Sequence, residues 1–264
     1  MIQKRVPIVF NHHLAGDSYA LGFECAAIAA EAAPGTFVMM REVHPRGYLL
    51  NRPFSIGNVD GDTIAIYYDT VGKATAAFAE LDKGDELDVF GPLGHGFTLE
   101  SDAAANLLVA GGIGIAPFPF LAIELAQRKH NARTIVLAGY RSADRVLLED
   151  FFEEIGVEYK VATDDGSRGF KGMVTELFEQ KLNECPDKKV AVYACGPAPM
   201  LERVAAITLE RDLFCEVSLE QRMGCGVGAC LVCACKTRTP GGGDAYRMVC
   251  KDGPVFNARE VVFE

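Results

Sequence analysis

The chain of 264 residues has no surplus of positive charge. Lys plus Arg number 26 against 36 Asp plus Glu, a formal net charge of −10. Binding along nucleic acid needs a basic footprint, so that class is excluded. The chain also lacks the compositions of disordered, collagen-like or coiled-coil proteins. It is 49% hydrophobic and 23% charged, with 27 Gly and 12 Pro, close to the globular average. There is no internal repeat and no long linker. An even disulfide framework is missing too: nine cysteines are an odd number, and five of them (Cys225, Cys230, Cys233, Cys235, Cys250) fall near the C-terminus. The apolar run in Met1–Phe10 is too short for a signal-peptide core, and no small-residue cleavage site follows it. The expected setting is a reducing cytoplasm, where clustered cysteines bind metal or do redox work.

One stretch imitates a membrane span. Ala103 to Ile123 are 21 residues without a charge, and a spanning helix needs about 20. Gly111, Gly112, Gly114, Pro117 and Pro119 interrupt it, however, and a continuous helix does not run through them. A buried strand, a glycine turn and a helix account for the same letters, because a parallel strand covered on both faces also reads as continuously apolar.

The chain divides into three expected domains, 1–100, 101–219 and 220–264. In the first, short strand patterns (Val6–Phe10, Ala20–Ala26, Thr36–Glu42, Phe54–Asn58, Thr63–Asp69, Glu86–Phe90) alternate with turn residues, which predicts a six-stranded antiparallel barrel. One helix, about Thr75–Leu81, interrupts it. In the second, five strands (Asn106–Ala110, Thr134–Tyr140, Val157–Thr163, Val190–Ala194, Leu213–Val217) alternate with helices over Pro117–Arg128, Val146–Glu154, Val174–Lys181 and Pro199–Glu210. That rhythm predicts a five-stranded parallel α/β sheet, with ligands outside the carboxyl ends of the strands. The third part has neither rhythm. Over residues 216–264 six basic and six acidic residues balance, so the negative charge lies upstream. About 45 residues bury little core alone, so this part needs a metal or a neighbour to order it.

Cys225, Cys230, Cys233 and Cys250 are separated by four, two and sixteen residues. Four-two spacing followed by a distant fourth Cys is the plant-type [2Fe–2S] pattern. Two irons need four thiolates, and a glycine-rich loop (Gly224, Gly226, Gly228) lets backbone N–H groups approach the sulfurs and tune the potential. The alternative is a structural zinc site with four cysteines, although such sites usually pair two Cys-x-x-Cys knuckles. Cys235 reads as a packed thiol, and Cys25, Cys185, Cys195 and Cys215 as buried small hydrophobes.

Two loops in the second domain follow strands and open helices. Gly111-Gly112-Ile113-Gly114-Ile115-Ala116-Pro117 can present N–H groups to a pyrophosphate, although Pro117 stands where the dinucleotide fingerprint has a third Gly. Cys195-Gly196-Pro197 lies at another strand end, and two such loops at one sheet edge form a crevice. Asp164 and Asp165 end the third strand. A carboxylate there hydrogen-bonds ribose hydroxyls and repels a 2′-phosphate, favouring NAD, while Arg168 pulls the other way. Each feature is equally compatible with an ordinary turn. In the first domain, Arg52-Pro53-Phe54-Ser55 offers a phosphate clamp and a hydroxyl, Tyr67-Tyr68-Asp69 ends a strand, and Gly72-Lys73-Ala74-Thr75 opens a helix suited to a pyrophosphate.

The order of these motifs resembles the ferredoxin reductase superfamily. The tail, Glu220 to Cys233 followed by Val249-Cys250-Lys251-Asp252-Gly253-Pro254-Val255-Phe256, resembles the electron-transfer subunit family of class 1B dihydroorotate dehydrogenases. The resemblance implies an FAD barrel, an NAD domain and a small C-terminal [2Fe–2S] domain. It implies that Arg52, Pro53, Phe54, Ser55, Tyr67–Asp69, Ala74 and Thr75 hold FAD. The family usually has Gly where Ala74 stands. It implies Cys225, Cys230, Cys233 and Cys250 as cluster ligands and a separate FMN-containing partner subunit, in a heterotetramer of two of each. That partner's barrel needs about 250 residues of its own, which this chain does not contain. The implied route runs from dihydroorotate through the partner's FMN, the cluster and FAD to NAD+, in pyrimidine biosynthesis. A flavin stands between because a hydride carries two electrons and a cluster carries one. The alternatives are a reductase of similar layout serving a ferredoxin, an oxygenase or a flavin-based bifurcating complex, and a zinc-binding regulatory module.

Overall fold

The computed structural model describes residues 1–45, 47–100, 102–128, 132–185, 189–239 and 241–263. The N-terminal part is one strongly curved antiparallel sheet. Its strands are β1 (Ile2–His13), β2 (Ser18–Glu24), β3 (Phe37–Glu42), β4 (Arg52–Ser55), β5 (Asn58–Asp60), β6 (Thr63–Asp69) and β7 (Glu86–Leu93). They pair in the order β4-β3-β7-β1-β2-β6-β5. In β6 the residues Ile64, Ile66 and Tyr68 turn inward at every second position, the period of a strand with one buried face. They meet Leu21, Phe23, Leu87, Val89 and Phe78, the last from the helix α2 (Lys73–Ala79). A short helix α1 (Ala26–Ala29) follows β2.

Six strands were expected here and seven form. The additional β5 is three residues long and pairs only with β6, through a tight turn at Gly61, so it lacks a pattern long enough to read. β1 is also longer than its apolar stretch. Gln3, Lys4 and Arg5 pair with β7, and Asn11, His12 and His13 with β2, so neighbours on both sides hold polar ends in strand form.

The second part is a sheet of β8 (Ala105–Gly111), β9 (Arg133–Tyr140), β10 (Glu158–Thr163), β11 (Phe170–Lys171), β12 (Val190–Cys195) and β13 (Phe214–Ser218). The helices α3 (Phe118–Gln127) and α4 (Glu149–Glu154) cover one face, and α5 (Val174–Asn183) and α6 (Ala198–Glu210) the other. The membrane look-alike resolves into β8, a 3₁₀ turn over Gly112–Ile115, and α3. No helix among the described residues is long and apolar enough to cross a membrane.

With β16 (Val255–Asn257) at one edge, the sheet order is β11-β10-β9-β8-β12-β13-β16, seven strands among the described residues where five were expected. β11 is a two-residue strand beside β10. The last edge strand, β16, comes from the C-terminal part and runs antiparallel to β13, so the sheet is mixed rather than wholly parallel. The tail also forms a hairpin, β14 (Ala234–Arg238) and β15 (Asp244–Met248), and a helical turn α7 (Val249–Asp252). It does not stand apart. Cys233, Cys235, Val249, Cys250 and Phe256 share one core with Phe37, Met39 and Leu93 of the barrel and with Val217 of the second sheet. Neighbours thus supply the burial that so short a segment cannot supply itself.

Candidate cofactor sites

The chain enters the sheet at β8, adds β9 and β10 on one side, then crosses to add β12 and β13 on the other. The crevice between the carboxyl ends of β8 and β12 is therefore the switch point where ligands bind in such sheets. In register, Ala110 lies beside Cys195, so both glycine loops meet there. Gly114 permits the approach: a Cβ on it would stand 2.3 Å from the Cys195 carbonyl oxygen.

Two cavities open from this point. The first, about 540 Å³, lies between barrel and sheet, and is lined by Arg52, Pro53, Phe54, Ser55, Tyr67, Tyr68, Asp69, Thr75, Pro117 and Cys195. The Arg52 guanidinium donates to the Leu50 carbonyl at 2.7 Å and sits 5.4 Å from the Tyr48 ring centre, so its own loop fixes its direction. Burial pushes the Tyr67 phenol up to about 12 and raises Tyr68 as well, so both stay protonated. Asp69 accepts from the Ser18 hydroxyl at 2.5 Å. Thr75 accepts from the Val71 and Gly72 N–H groups at 2.9 and 3.2 Å, and so caps α2 at the cavity wall. Gly72 and Ala74 do not line the cavity. Ala74 is 3% exposed and packs in the barrel core.

The second cavity, about 720 Å³, is lined by Gly111, Gly112, Tyr140, Asp164, Gly196, Pro197 and Met200. Asp164 faces it, whereas Asp165 turns to its own loop. Hydrogen bonds from the Ser167 hydroxyl and N–H hold the Asp165 carboxyl below the usual carboxylate range. Gly114 lines neither cavity, and its part is the close packing just described. Asp69, Val71, Ile113 and Glu220 line both cavities, which makes the two sites continuous. Burial raises the Glu220 carboxyl above the usual range, with the Asp69 charge adding to it.

Sequence reasoning missed several wall residues. Ser218, Leu219, Glu220, Gln221, Arg222, Met223 and Pro254 close the first cavity from the tail side. The dinucleotide-side cavity takes Asp17 and Ser18 from the β1–β2 turn of the barrel and Arg141, Arg145 and Arg203 from its own domain. Their one signal is position: residues 218–223 join the last parallel strand to the cysteine loop, and so must pass the switch point.

The four cysteines come together as two pairs. The Cys225 sulfur accepts from the N–H groups of Val227, Ala229 and Cys230 at 3.4, 3.3 and 3.4 Å, and from the Cys230 side chain. Burial raises the Cys225 thiol, but those donors outweigh it and hold it at about 6. The Cys233 and Cys250 sulfurs are 3.2 Å apart, and the Gly228 N–H points at Cys250 from 3.1 Å. Burial and the Cys233 contact push Cys250 up to about 12. Among the described residues, no three His, Cys, Asp or Glu groups converge on one metal position. Two pairs of thiols suit two irons, whereas one tetrahedral zinc needs four converging ligands. Cys235 belongs to neither pair. It is 8% exposed on β14, and burial raises its thiol.

A curved antiparallel barrel, a switch-point crevice and a paired-cysteine loop whose leading segment 218–223 walls the first cavity have the layout of an oxidoreductase of the ferredoxin reductase fold. Comparison with known proteins narrows this. Residues 220–262 match the iron–sulfur cluster binding domain of dihydroorotate dehydrogenase B, and residues 108–206 the oxidoreductase NAD-binding domain. The electron transfer subunit of dihydroorotate dehydrogenase B (NAD+) from Geobacillus thermodenitrificans is 40% identical, with 98% of each chain covered. The same subunit from Desulforamulus reducens is 40% identical over 95% of each. Among solved structures, an NADH-dependent reduced ferredoxin-NADP oxidoreductase studied for electron bifurcation superposes with a TM-score of 0.83 at 29% identity, covering 98% of this chain and 90% of that one. A ferredoxin NADP+ reductase from Neisseria gonorrhoeae with bound FAD and NADP has a TM-score of 0.65 at 16% identity and covers 79% of this chain and 91% of that one, a likeness of fold. The chain belongs to the dihydroorotate dehydrogenase B electron transfer subunit family, with an iron–sulfur cluster binding domain and an NAD-binding domain.

Proposed function

We infer that the protein takes electrons from a dihydroorotate-oxidising partner subunit and delivers them to NAD+ in pyrimidine biosynthesis. The observation that carries this reading is the shared wall: residues 218–223, which lead into the cysteine loop, also close the flavin cavity, and Glu220 reaches the dinucleotide cavity. When bound, the cluster supplies one-electron transfer, NAD a two-electron hydride, and FAD the exchange between them.

The chain's own residues bind and orient. Arg52 is the candidate phosphate ligand for FAD, and Ser55 and the Tyr67–Asp69 segment border the rest of the first cavity. Gly111, Gly112, Gly196 and Pro197 leave backbone room for a dinucleotide, and Asp164 stands ready for ribose hydroxyls. Cys225 with Cys230, and Cys233 with Cys250, are the proposed ligand pairs, one pair to each iron. Backbone N–H groups aimed at Cys225 favour the thiolate form a cluster needs, and the Gly228 N–H aimed at Cys250 opposes the burial that raises that thiol. A division into a barrel domain to about 100, a sheet domain to 219 and a cluster segment beyond it describes these roles, although β16 returns to the second sheet. Nine unpaired cysteines support a cytoplasmic setting.

The partner is an FMN-containing subunit, proposed in a two-plus-two assembly. Val227, Leu231 and Val232, exposed by 37%, 64% and 58%, flank the ligand cysteines. This neutral, apolar rim is the proposed docking face, because the cluster must lie close to the partner's flavin. A second reading, a subunit of a ferredoxin-linked bifurcating complex, draws on the 29% identity over 98% of this chain. Reconstitution separates the two. The chain mixed with an FMN-type dihydroorotate dehydrogenase subunit is expected to reduce NAD+ with dihydroorotate. A complex that forms only with a ferredoxin-linked flavoprotein, and passes nothing from dihydroorotate, would overturn the first reading.

A further inference from the structure

Arg141, Arg145 and Arg203 line the dinucleotide cavity, and carboxylates hold two of them and also Arg168 of the Asp164 loop. Arg145 pairs with Asp17 at 3.2 Å, across the junction of barrel and sheet. Arg203 pairs with Glu179 at 3.2 Å. Arg168 pairs with Glu149, in the first turn of α4. Arg168 does not line the cavity, but it lies on the same loop as Asp164, which does. Thr163 ends β10, and its hydroxyl accepts from the Arg168 N–H at 3.0 Å and donates to the Arg168 carbonyl at 2.7 Å. That double contact folds residues 163–168 into a closed loop, with Asp164 facing the cavity and Arg168 beside the strand end.

An arginine so placed is the natural ligand for a 2′-phosphate, since its fork matches phosphate oxygens bidentately. Its presence beside Asp164 is a conflict in the sequence, and the ion pair resolves it. We propose that Glu149 is a selectivity residue: by holding the Arg168 guanidinium it keeps that one cation from a ribose 2′-phosphate, so that NAD is preferred over NADP. The proposal rests on the reading of this cavity as the NAD site. Neither Glu149 nor Arg168 lines the cavity as the pair stands; Glu149 acts by holding Arg168 out of it, so it is a positioning residue. The pair is half exposed on the arginine side. Exposed pairs are weak, so release of Arg168 shifts affinity by a modest factor, about two- to fivefold.

The test uses the full FAD-loaded chain and two fragments, 2′,5′-ADP and 5′-AMP, titrated by calorimetry. Wild type is expected to bind 5′-AMP better. Glu149→Gln removes the charge and keeps the shape. It is expected to tighten 2′,5′-ADP about two- to fivefold and leave 5′-AMP unchanged. Adding Arg168→Ala to Glu149→Gln is expected to cancel the gain. Glu149→Ser, with its melting temperature checked, guards against a local packing effect of the first variant. A 2′,5′-ADP affinity unmoved in both Glu149 variants overturns the proposal, as does equal tightening of both fragments or a gain that survives Arg168→Ala. If wild type binds 2′,5′-ADP as well as 5′-AMP, the NAD-selective reading of the cavity fails first, and the role of Glu149 fails with it.

Discussion

Arg52 shows how a single side chain is prepared for a ligand. Its guanidinium is already held by the Leu50 carbonyl and the Tyr48 ring, so little side-chain freedom remains to be lost on binding. Arg52→Ala is expected to weaken FAD retention by ten- to a hundredfold, about 1.5–3 kcal/mol for a charged hydrogen bond. Flavin fluorescence released on dilution measures it, and full retention would remove Arg52 from the ligand set. The cysteines make a sharper case. Serine at Cys225, Cys230, Cys233 or Cys250 should abolish or destabilise the cluster, read by visible absorption, EPR and bound iron. Cys235→Ser should keep it. NADH should still reduce the flavin in all five variants, because the first cavity depends on none of those sulfurs. Loss of the cluster in Cys235→Ser but not in Cys225→Ser would refute the pairing.

At the scale of elements, the strand–turn–helix at β8 was legible because glycine and proline mark it whatever the fold. What Gly114 faces was not legible, since its neighbour, the Cys195 carbonyl, is 81 positions away in the chain. Gly114→Ala places a methyl 2.3 Å from that oxygen. The loops must part, and we expect a loss of about 1–3 kcal/mol in stability and weaker NADH binding, with FAD content retained. Thermal melts and NADH titration of the flavin-loaded chain provide the measurement. Unchanged values in both would show that the two loops do not touch. The short strands β5, β11 and β16 escaped sequence reading for a different reason. Two or three residues carry no period, and a strand of that length exists only because an edge is waiting for it. Gly226 makes the same point in the cysteine loop. Its φ of +75° favours glycine, and a Cβ there would also strike Met39 of β3 at 2.8 Å. The loop is therefore fitted to the barrel as well as to its metal.

For the whole molecule, the three parts share one core, so the cysteine loop is held in place against the flavin cavity. Its outer face stays bare. Leu231 is 64% exposed with a φ of +60°, an unusual conformation for leucine, beside exposed Val232. Replacing both by Asp is expected to leave flavin, cluster and NADH oxidation intact. It should cut the affinity for the FMN subunit at least a hundredfold, about 2.7 kcal/mol. Size-exclusion chromatography and dihydroorotate-dependent NAD+ reduction report the two effects. A complex that survives the double substitution would move the docking face elsewhere.

The sequence by itself determined the cysteine pattern of an iron–sulfur site, the two glycine loops at strand ends and the change from antiparallel to alternating architecture. Each of these is local chemistry: ligand spacing along a loop, glycine where backbone must approach a ligand, and apolar period within a strand. The tertiary structure alone decided that residues 218–223 wall the first cavity, that Asp17 and Ser18 of the barrel reach the second, and that the tail closes the second sheet. Those facts depend on which surfaces meet once the chain has folded, and a contact between residues far apart leaves no period or spacing in either segment. The pairing of Arg168 with Glu149 is of the same kind. The sequence placed a cation beside Asp164, and only packing of α4 against the β10 loop decided which anion would hold it.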